Sequence, residues 1–167
     1  NAKSEHSTRL NFSSGMDRQS IIAGLAFFLS GMVSIAYEIL WTRILTPSVG
    51  TFIYAFAAIL ALYLMGIAIG SFLYRGYSRI ITDKSLAFAI CEAGIGFFAL
   101  ASVYLVSNQV AVNGRLMVLL VILPATIFMG LSFPAIVSLI GLEKHSGKVV
   151  GGTYFANTFG SIIGGFL

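Results

Sequence analysis

The sequence predicts an all-α protein: a multi-pass transmembrane helical bundle of about five spans, with a cytoplasmic N-terminus. Of the 167 residues, 57% are hydrophobic and 10% are charged, whereas soluble domains average about 25% charged residues. The apolar residues are gathered into long runs that polar segments separate. A run of about 20 apolar residues is long enough to cross the hydrocarbon core of a bilayer as a helix. These observations exclude an ordinary soluble domain.

The predicted organisation is a polar N-terminal tail, residues 1–19, followed by a transmembrane domain, residues 20–167. The tail is mixed in charge and has no helical period, which is typical of a flexible or partner-bound segment. The predicted spans are residues 21–41, 51–74, 86–106, 116–140 and 149–167. The chain begins at Asn1, so Met16 is an alternative start of a shorter product. A cleaved signal peptide is the competing interpretation of the first run, but the apolar stretch continues past its small-residue site, which favours an uncleaved span.

Basic residues predict the orientation of the bundle. The side of the membrane that holds the tail carries Lys3, Arg9, Arg18, Arg75, Arg79, Lys84, Lys144 and Lys148. The opposite side carries only Arg43 and Arg115. Because the more basic side faces the cytoplasm, the N-terminus is expected there, and the fifth helix is expected to run outward. We expect an integral protein of a bacterial cytoplasmic membrane.

Residues that support catalysis or metal binding are sparse. The single cysteine, Cys91, excludes an internal disulfide and a cysteine-rich metal site. His6 and His145 stand alone, without metal-ligand spacing. The sequence has no Ser/His or Cys/His constellation and no interleaving of basic and aromatic residues that would indicate nucleic acid. We therefore predict no catalytic residue, metal, cofactor or nucleic-acid partner.

The first span carries one carboxylate, Glu38, within an apolar run. Inserting such a charge costs at least about 2.5 kcal/mol, so it usually faces the bundle interior and is paired. Gly31 and Ser34 share its helical face, and small residues allow another helix to approach. Trp41 and Arg43 are interpreted as the interfacial end of the span. In the alternative interpretation, Glu38 pairs with Arg43 or is hydrated, and only locks helices together.

The third span carries a second carboxylate, Glu92. At a rise of about 1.5 Å per residue, Glu92 lies about 10 Å from the cytoplasmic side and Glu38 about 25 Å, so they cannot form a dyad. Asn157 falls at about 12 Å, in the layer that also holds the Gly130 carbonyl, which Pro134 deprives of its helical donor. This acceptor-rich layer suits a cation, a proton or water. The alternative is a polar knot that holds helices three, four and five together.

Glycines and prolines mark the predicted helix contacts and kinks. Small residues allow membrane helices to approach closely, and proline removes a helical hydrogen bond. The packing candidates are Gly31, Gly66, Gly70, Gly130, Gly160 and Gly164, and the kink candidates are Pro124 and Pro134. In the fifth segment, Tyr154 and Asn157 share a face whose other end is small, so we expect this helix to be buried among the others.

A series of short motifs resembles a known family. The motifs are Ser30-Gly31 with Tyr37-Glu38-x-x-Trp41-Thr42-Arg43, Tyr54-Ala55, Gly66-x-x-x-Gly70-Ser71, Glu92 with Gly94 and Gly96, Pro124, Met129-Gly130-x-x-Phe133-Pro134, and Tyr154-x-x-Asn157-Thr158-x-Gly160. They resemble the membrane part of spermidine synthase-like membrane proteins. Those proteins look like part of a major-facilitator transporter joined to a soluble aminopropyltransferase-like domain.

The resemblance implies a membrane module that binds or transports a small cationic solute such as a polyamine. Buried acids in a helical bundle also match an amine substrate. We therefore predict Glu92 as the anionic site with Asn157 as its partner, Glu38 as a gating or packing acid near the outer face, and Tyr154 as a further binding candidate. The chain offers no strand followed by a glycine-rich turn, so it lacks the aminopropyltransferase-like domain, and we expect no enzyme activity.

A rival interpretation is a structural or accessory subunit of a larger membrane complex. Five helices rarely enclose an alternating-access path alone, and long glycine-rich faces can dock partners. The apolar run stops at Leu167 without a polar flank. The expected partners are therefore the lipid bilayer, together with other membrane subunits or a C-terminal continuation of the same protein.

Overall fold

The computed structural model describes residues 18–49, 51–108, 114–140 and 146–166. They form five helices: α1 (Arg18–Val49), α2 (Phe52–Ile80), α3 (Lys84–Ser107), α4 (Gly114–Ile140) and α5 (Ser146–Phe166). These ranges contain no strand. The predicted all-α helical bundle is therefore confirmed. Residues 1–17 of the predicted N-terminal tail lie outside the described residues.

Four of these helices are long and apolar enough to cross a membrane. The four segments are Ile21–Ile44, Phe52–Ile80, Lys84–Ser107 and Val118–Ile140. Helix α5 forms where the fifth span was predicted, but it is not among the four, because glycine, serine, threonine and asparagine interrupt its apolar residues. Outward-facing side chains of the apolar helices are large and hydrophobic, as for Phe72, which is 84% exposed. Such a surface suits contact with lipid.

Helices α2 and α3 are longer than the predicted spans, whose ends were placed at charged residues. Helix α2 continues through Arg75 to Ile80, since arginine is a good helix former. The segment between the second and third predicted spans, residues 75–85, is thereby reduced to a connection of residues 81–83. There the Asp83 side chain accepts hydrogen bonds from the backbone N–H groups of Ser85, at 2.9 Å, and Leu86, at 3.2 Å. This N-cap fixes the start of α3.

Helix α4 lies at the centre of the bundle. It packs mainly against α2 and α3, and over smaller areas against α1 and α5. Helix α5 packs chiefly on α1, where Gly160 contacts Phe28 and Gly164 contacts Met32. Because these contacts advance in the same direction along both helices, α1 and α5 run parallel.

Buried apolar side chains form two clusters, one beside each half of α1. The Phe27 cluster comprises Ala23, Phe27, Phe88, Cys91, Leu131, Ala135 and Ile136. The Trp41 cluster comprises Trp41, Ile59, Val118, Val121, Ile122 and Ala125. Trp41 is only 2% exposed, and its Nε1 has no hydrogen-bond partner. The Trp41 ring is therefore enclosed by apolar residues of α2 and α4, and its interpretation as the interfacial end of the span stays a prediction.

Candidate functional site

Glu92 lies where α3 meets α4 and α1. The Ser132 hydroxyl donates a hydrogen bond of 2.5 Å to Glu92 Oε1, and the Ser30 side chain of α1 also interacts with this carboxyl group. Ser132 is 1% exposed, and Glu92 is half-buried. Within the described ranges, no lysine or arginine forms an ion pair with Glu92. Hydroxyl groups from two neighbouring helices thus hold a carboxylate that carries no basic partner.

Asn157 packs against α1 and not against Glu92. A Cβ atom at Gly31 would lie 2.6 Å from Asn157 Oδ1, so the two helices touch here because residue 31 is glycine. The Ser161 hydroxyl donates a hydrogen bond of 3.1 Å to the Gly31 carbonyl oxygen. The described residues show no hydrogen bond between Asn157 and Glu92. The structure therefore does not bring the predicted pair into hydrogen-bond contact.

Tyr154 lies on the surface of α5. It is 63% exposed, and its ring meets Phe133 of α4 edge-on, with the ring centroids 6.4 Å apart. Phe133 follows Ser132 in the chain, so Tyr154 lies at the level of Glu92. Its exposed ring places it at the rim of this layer.

The carbonyl that Pro134 deprives of its donor is satisfied by another helix. Ser71 of α2 donates a hydrogen bond of 3.0 Å to the Gly130 carbonyl oxygen. Helix α4 continues through both Pro124 and Pro134. Ser71 thus replaces the helical donor that Pro134 removes from the Gly130 oxygen.

The six predicted packing glycines all lie at contacts between helices of this chain. At each of them, an added Cβ atom would come closer than 3.0 Å to another helix; Gly31 faces α5, Gly66 and Gly70 face α4, Gly130 faces α2, and Gly160 and Gly164 face α1. Glycine-rich faces thus join α2 to α4 and α1 to α5. A seventh glycine, Gly94, packs against the Phe128 ring and was missed.

Glu38 lies far from Glu92, in a cleft between the second half of α1 and the start of α2. The cleft has a volume of about 330 Å³ and is lined by Ile35, Glu38, Ile39, Thr42, Arg43, Phe52 and Phe56. In the described part of the chain, no hydrogen bond or ion pair reaches the Glu38 carboxyl group, from Arg43 or from any other residue. Neither acid therefore forms an ion pair with a described basic residue, and the Glu38 side chain lines a cleft.

Ser34 was placed on the same helical face as Glu38, but its contacts with two other helices were missed by the sequence interpretation. Ser34 Oγ lies 2.5 Å from Tyr63 Oη of α2 and 3.6 Å from Met129 Sδ of α4. The signal was present in part, because Ser30, Ser34 and Glu38 recur every four residues and so share one face of α1. The sequence pattern does not show which other helix each of these residues contacts.

The fold and this site define a multi-pass helical membrane protein with two separate, unpaired carboxylates. In the described ranges, no three His, Cys, Asp or Glu side chains are grouped as metal ligands. Comparisons with models of protein families, with curated proteins and with solved structures found no match. The resemblance to spermidine synthase-like membrane proteins therefore stays a hypothesis that rests on the motifs alone.

Proposed function

We propose that this chain is a membrane module that binds a small cationic solute at Glu92 and carries it across the bilayer. The observation that supports the proposal is the Glu92 carboxyl group, which Ser132 and Ser30 hold inside the bundle and which has no basic partner among the described residues. A charge within the hydrocarbon region is expensive and commonly marks a substrate or ion pathway. A bound cation would neutralise this charge.

The geometry favours an organic ammonium group over a divalent metal. Serine hydroxyls accept hydrogen bonds as well as donate them, and a primary ammonium has three donors. One ammonium can therefore satisfy Glu92, Ser30 and Ser132 together. Calcium prefers six to eight oxygen ligands, which is more than these three side chains offer. A polyamine is the narrower proposal, and it comes from the motif resemblance.

The test is binding and uptake of radiolabelled spermidine by the full chain in proteoliposomes. Glu92→Gln keeps the shape of the side chain and removes its charge, so we expect binding to weaken at least about tenfold, which is about 1.4 kcal/mol. Asp83→Asn is the matched control, because Asp83 is an exposed acid that caps the same helix and asparagine also caps well.

Unchanged binding and uptake in the Glu38→Gln/Glu92→Gln double variant would overturn the proposal. Thermal unfolding in detergent shows whether each variant is folded. A folded Glu92→Gln variant that loses binding, beside an active Asp83→Asn variant, is the outcome we expect.

A second candidate function is that of an accessory subunit, and the packing of α5 favours it. Helix α5 contacts α1 with one side and leaves Phe155 68% exposed on another. Apart from α1 it contacts α4 only over a small area, so its free side is available to a neighbouring membrane protein. In native membranes, a cross-linker attached at Phe155→Cys is expected to capture another membrane protein, whereas one at Phe72→Cys on α2 is not. Equal labelling at both positions would contradict this role.

A further inference from the structure

We infer that the cleft beside Glu38 binds a membrane phospholipid whose headgroup carries a primary ammonium and a phosphate, such as phosphatidylethanolamine. In this site, Glu38 holds the ammonium and Arg43 holds the phosphate. The site goes beyond the proposed function and does not depend on it, because Glu92 is not among the residues that line the cleft.

The cleft lies at one end of the membrane-spanning segments. Arg43 is next to the last residue of the first candidate span, Ile21–Ile44, and Phe52 is the first residue of the second, Phe52–Ile80. The cleft therefore opens at the level where the hydrocarbon region meets the headgroups of a bilayer. Glu38 lies five residues before Arg43, about 7.5 Å deeper along the helix axis. A headgroup bound here keeps its phosphate at the membrane surface beside Arg43 and turns its ammonium inward to Glu38.

The walls of the cleft are mostly apolar and come from α1 and α2. Residues four apart share a helical face, and the cleft is lined by three such rows: Glu38 and Thr42; Ile35, Ile39 and Arg43; and Phe52 and Phe56. The two phenylalanine rings stack with their centroids 6.4 Å apart. Both rings and the Ile39 side chain are exposed, so an acyl chain that lies on them buries apolar surface. A water-soluble zwitterion leaves that surface uncovered, which favours a lipid as the occupant.

The cleft holds one acid and one base that do not neutralise each other. Within the ranges that the structure describes, neither the Glu38 carboxylate nor the Arg43 guanidinium forms an ion pair. Thr42, the remaining polar residue of the lining, donates its hydroxyl hydrogen bond to the Glu38 backbone carbonyl oxygen, at 2.8 Å, and not to the carboxylate. A primary ammonium donates hydrogen bonds to a carboxylate, and a guanidinium donates two parallel ones to a phosphate. A zwitterionic headgroup therefore satisfies both side chains, whereas an anionic headgroup satisfies only the arginine.

The test is lipid binding to the full chain in detergent micelles, measured by native mass spectrometry with dioleoyl lipids. We expect phosphatidylethanolamine to bind at least about tenfold more tightly than phosphatidylcholine, whose methylated ammonium cannot donate a hydrogen bond to Glu38. The same margin is expected over phosphatidylglycerol, which has no ammonium. Glu38→Gln and Arg43→Gln should each weaken the binding of phosphatidylethanolamine at least about tenfold. Arg79→Gln is the matched control, because Arg79 is an exposed arginine in the last turn of α2, at the other end of that helix.

Two results would overturn the site: phosphatidylethanolamine bound by Glu38→Gln as tightly as by Arg79→Gln, or the three lipids bound equally by the native chain. Glycerophosphoethanolamine, the same headgroup without acyl chains, is expected not to displace the lipid at equal concentration. Displacement would contradict a lipid site and indicate one for soluble zwitterions. Thermal unfolding in the same detergent shows whether each variant is folded.

Spermidine binding on the same preparations separates this lipid site from the proposed function. We expect Glu38→Gln to lose phosphatidylethanolamine and bind spermidine normally. Glu92→Gln is expected to do the opposite. Loss of phosphatidylethanolamine in Glu92→Gln, with the Glu38→Gln variant unaffected, would contradict the assignment of the lipid to this cleft.

Discussion

The Ser71 hydroxyl of α2 donates a hydrogen bond of 3.0 Å to the Gly130 carbonyl oxygen of α4. This carbonyl is the one that Pro134 leaves without a helical donor. The bond forms where the two backbones come close together, since a Cβ atom at Gly130 would lie 2.8 Å from Ile67 Cα. Pro134 thus removes a hydrogen bond within α4, and Ser71 replaces it with a hydrogen bond between α2 and α4 at a point where Gly130 lets the two helices approach.

Ser71→Ala is expected to lower the free energy of unfolding by about 0.5–2 kcal/mol, the range of interhelical hydrogen bonds in membranes. Pro134→Ala returns a helical donor to the Gly130 carbonyl, so Ser71→Ala should be milder in that background. Chemical unfolding in mixed micelles measures the double-mutant cycle. Equal effects of Ser71→Ala in both backgrounds would show that the bond does not replace the helical one.

Gly130→Ala is expected to separate α2 from α4, because its Cβ atom would meet backbone that cannot move aside. Overpacking of this kind lowers stability by about 1–3 kcal/mol. Gly96→Ala on α3 is the control, since no atom lies within 4 Å of its added Cβ. Thermal unfolding of both variants in one detergent makes the comparison. A Gly130→Ala variant as stable as Gly96→Ala would argue against the close contact.

Two adjacent glycines test the contact of α5 with α1. An added Cβ at Gly164 would lie 2.8 Å from the carbonyl carbon of Met32, whereas one at Gly165 would lie 3.6 Å from the Ile35 side chain. Gly164→Ala should therefore displace α5, and Gly165→Ala should not.

The readout for this pair is disulfide formation between Phe28→Cys and Phe159→Cys in a Cys91→Ser background. The two phenylalanine rings lie with centroids 6.2 Å apart. Cross-linking should be slowed by Gly164→Ala and unaffected by Gly165→Ala. Equal rates in the two variants would contradict the packing described for α5.

Trp41 is the only tryptophan of the chain, so its fluorescence reports on one position. Because it is buried among α1, α2 and α4, we expect emission that neither aqueous iodide nor brominated lipid chains quench strongly. Strong quenching by brominated lipids would place the ring at the lipid surface instead and contradict the packing of this cluster. The fluorescence of the native chain is compared in bilayers of brominated and of ordinary lipid. Free tryptophan is the reference for quenching by iodide.

The fold class was predictable because hydropathy and length alone decide whether a run can form a membrane helix. The ends of the helices were harder to place. Arg75 was taken as the start of a loop, yet it lies inside α2, because a charged residue can leave the hydrocarbon region without ending the helix. Asp83 is the residue that sets the boundary, through its cap on α3.

The site was predictable only in part. Glu92 and Glu38 stand out in sequence because each is a charge within an apolar run. Their neighbours depend on which face of each helix meets which other helix, and a single sequence pattern does not contain that information. Asn157 was matched to Glu92 by depth, but its side chain packs against Gly31 of α1. Ser132, which holds the Glu92 carboxyl group, has no distinguishing sequence context.

The most direct test of the central claim is the reaction of Glu92 with a hydrophobic carbodiimide, followed by peptide mass spectrometry, with and without spermidine. If Glu92 is the cation site, the amine should slow its labelling in a concentration-dependent way and leave the labelling of exposed Asp83 unchanged. Labelling of Glu92 at the same rate at every spermidine concentration would contradict the account. Glu92 would then be a packing residue that Ser132 and Ser30 satisfy.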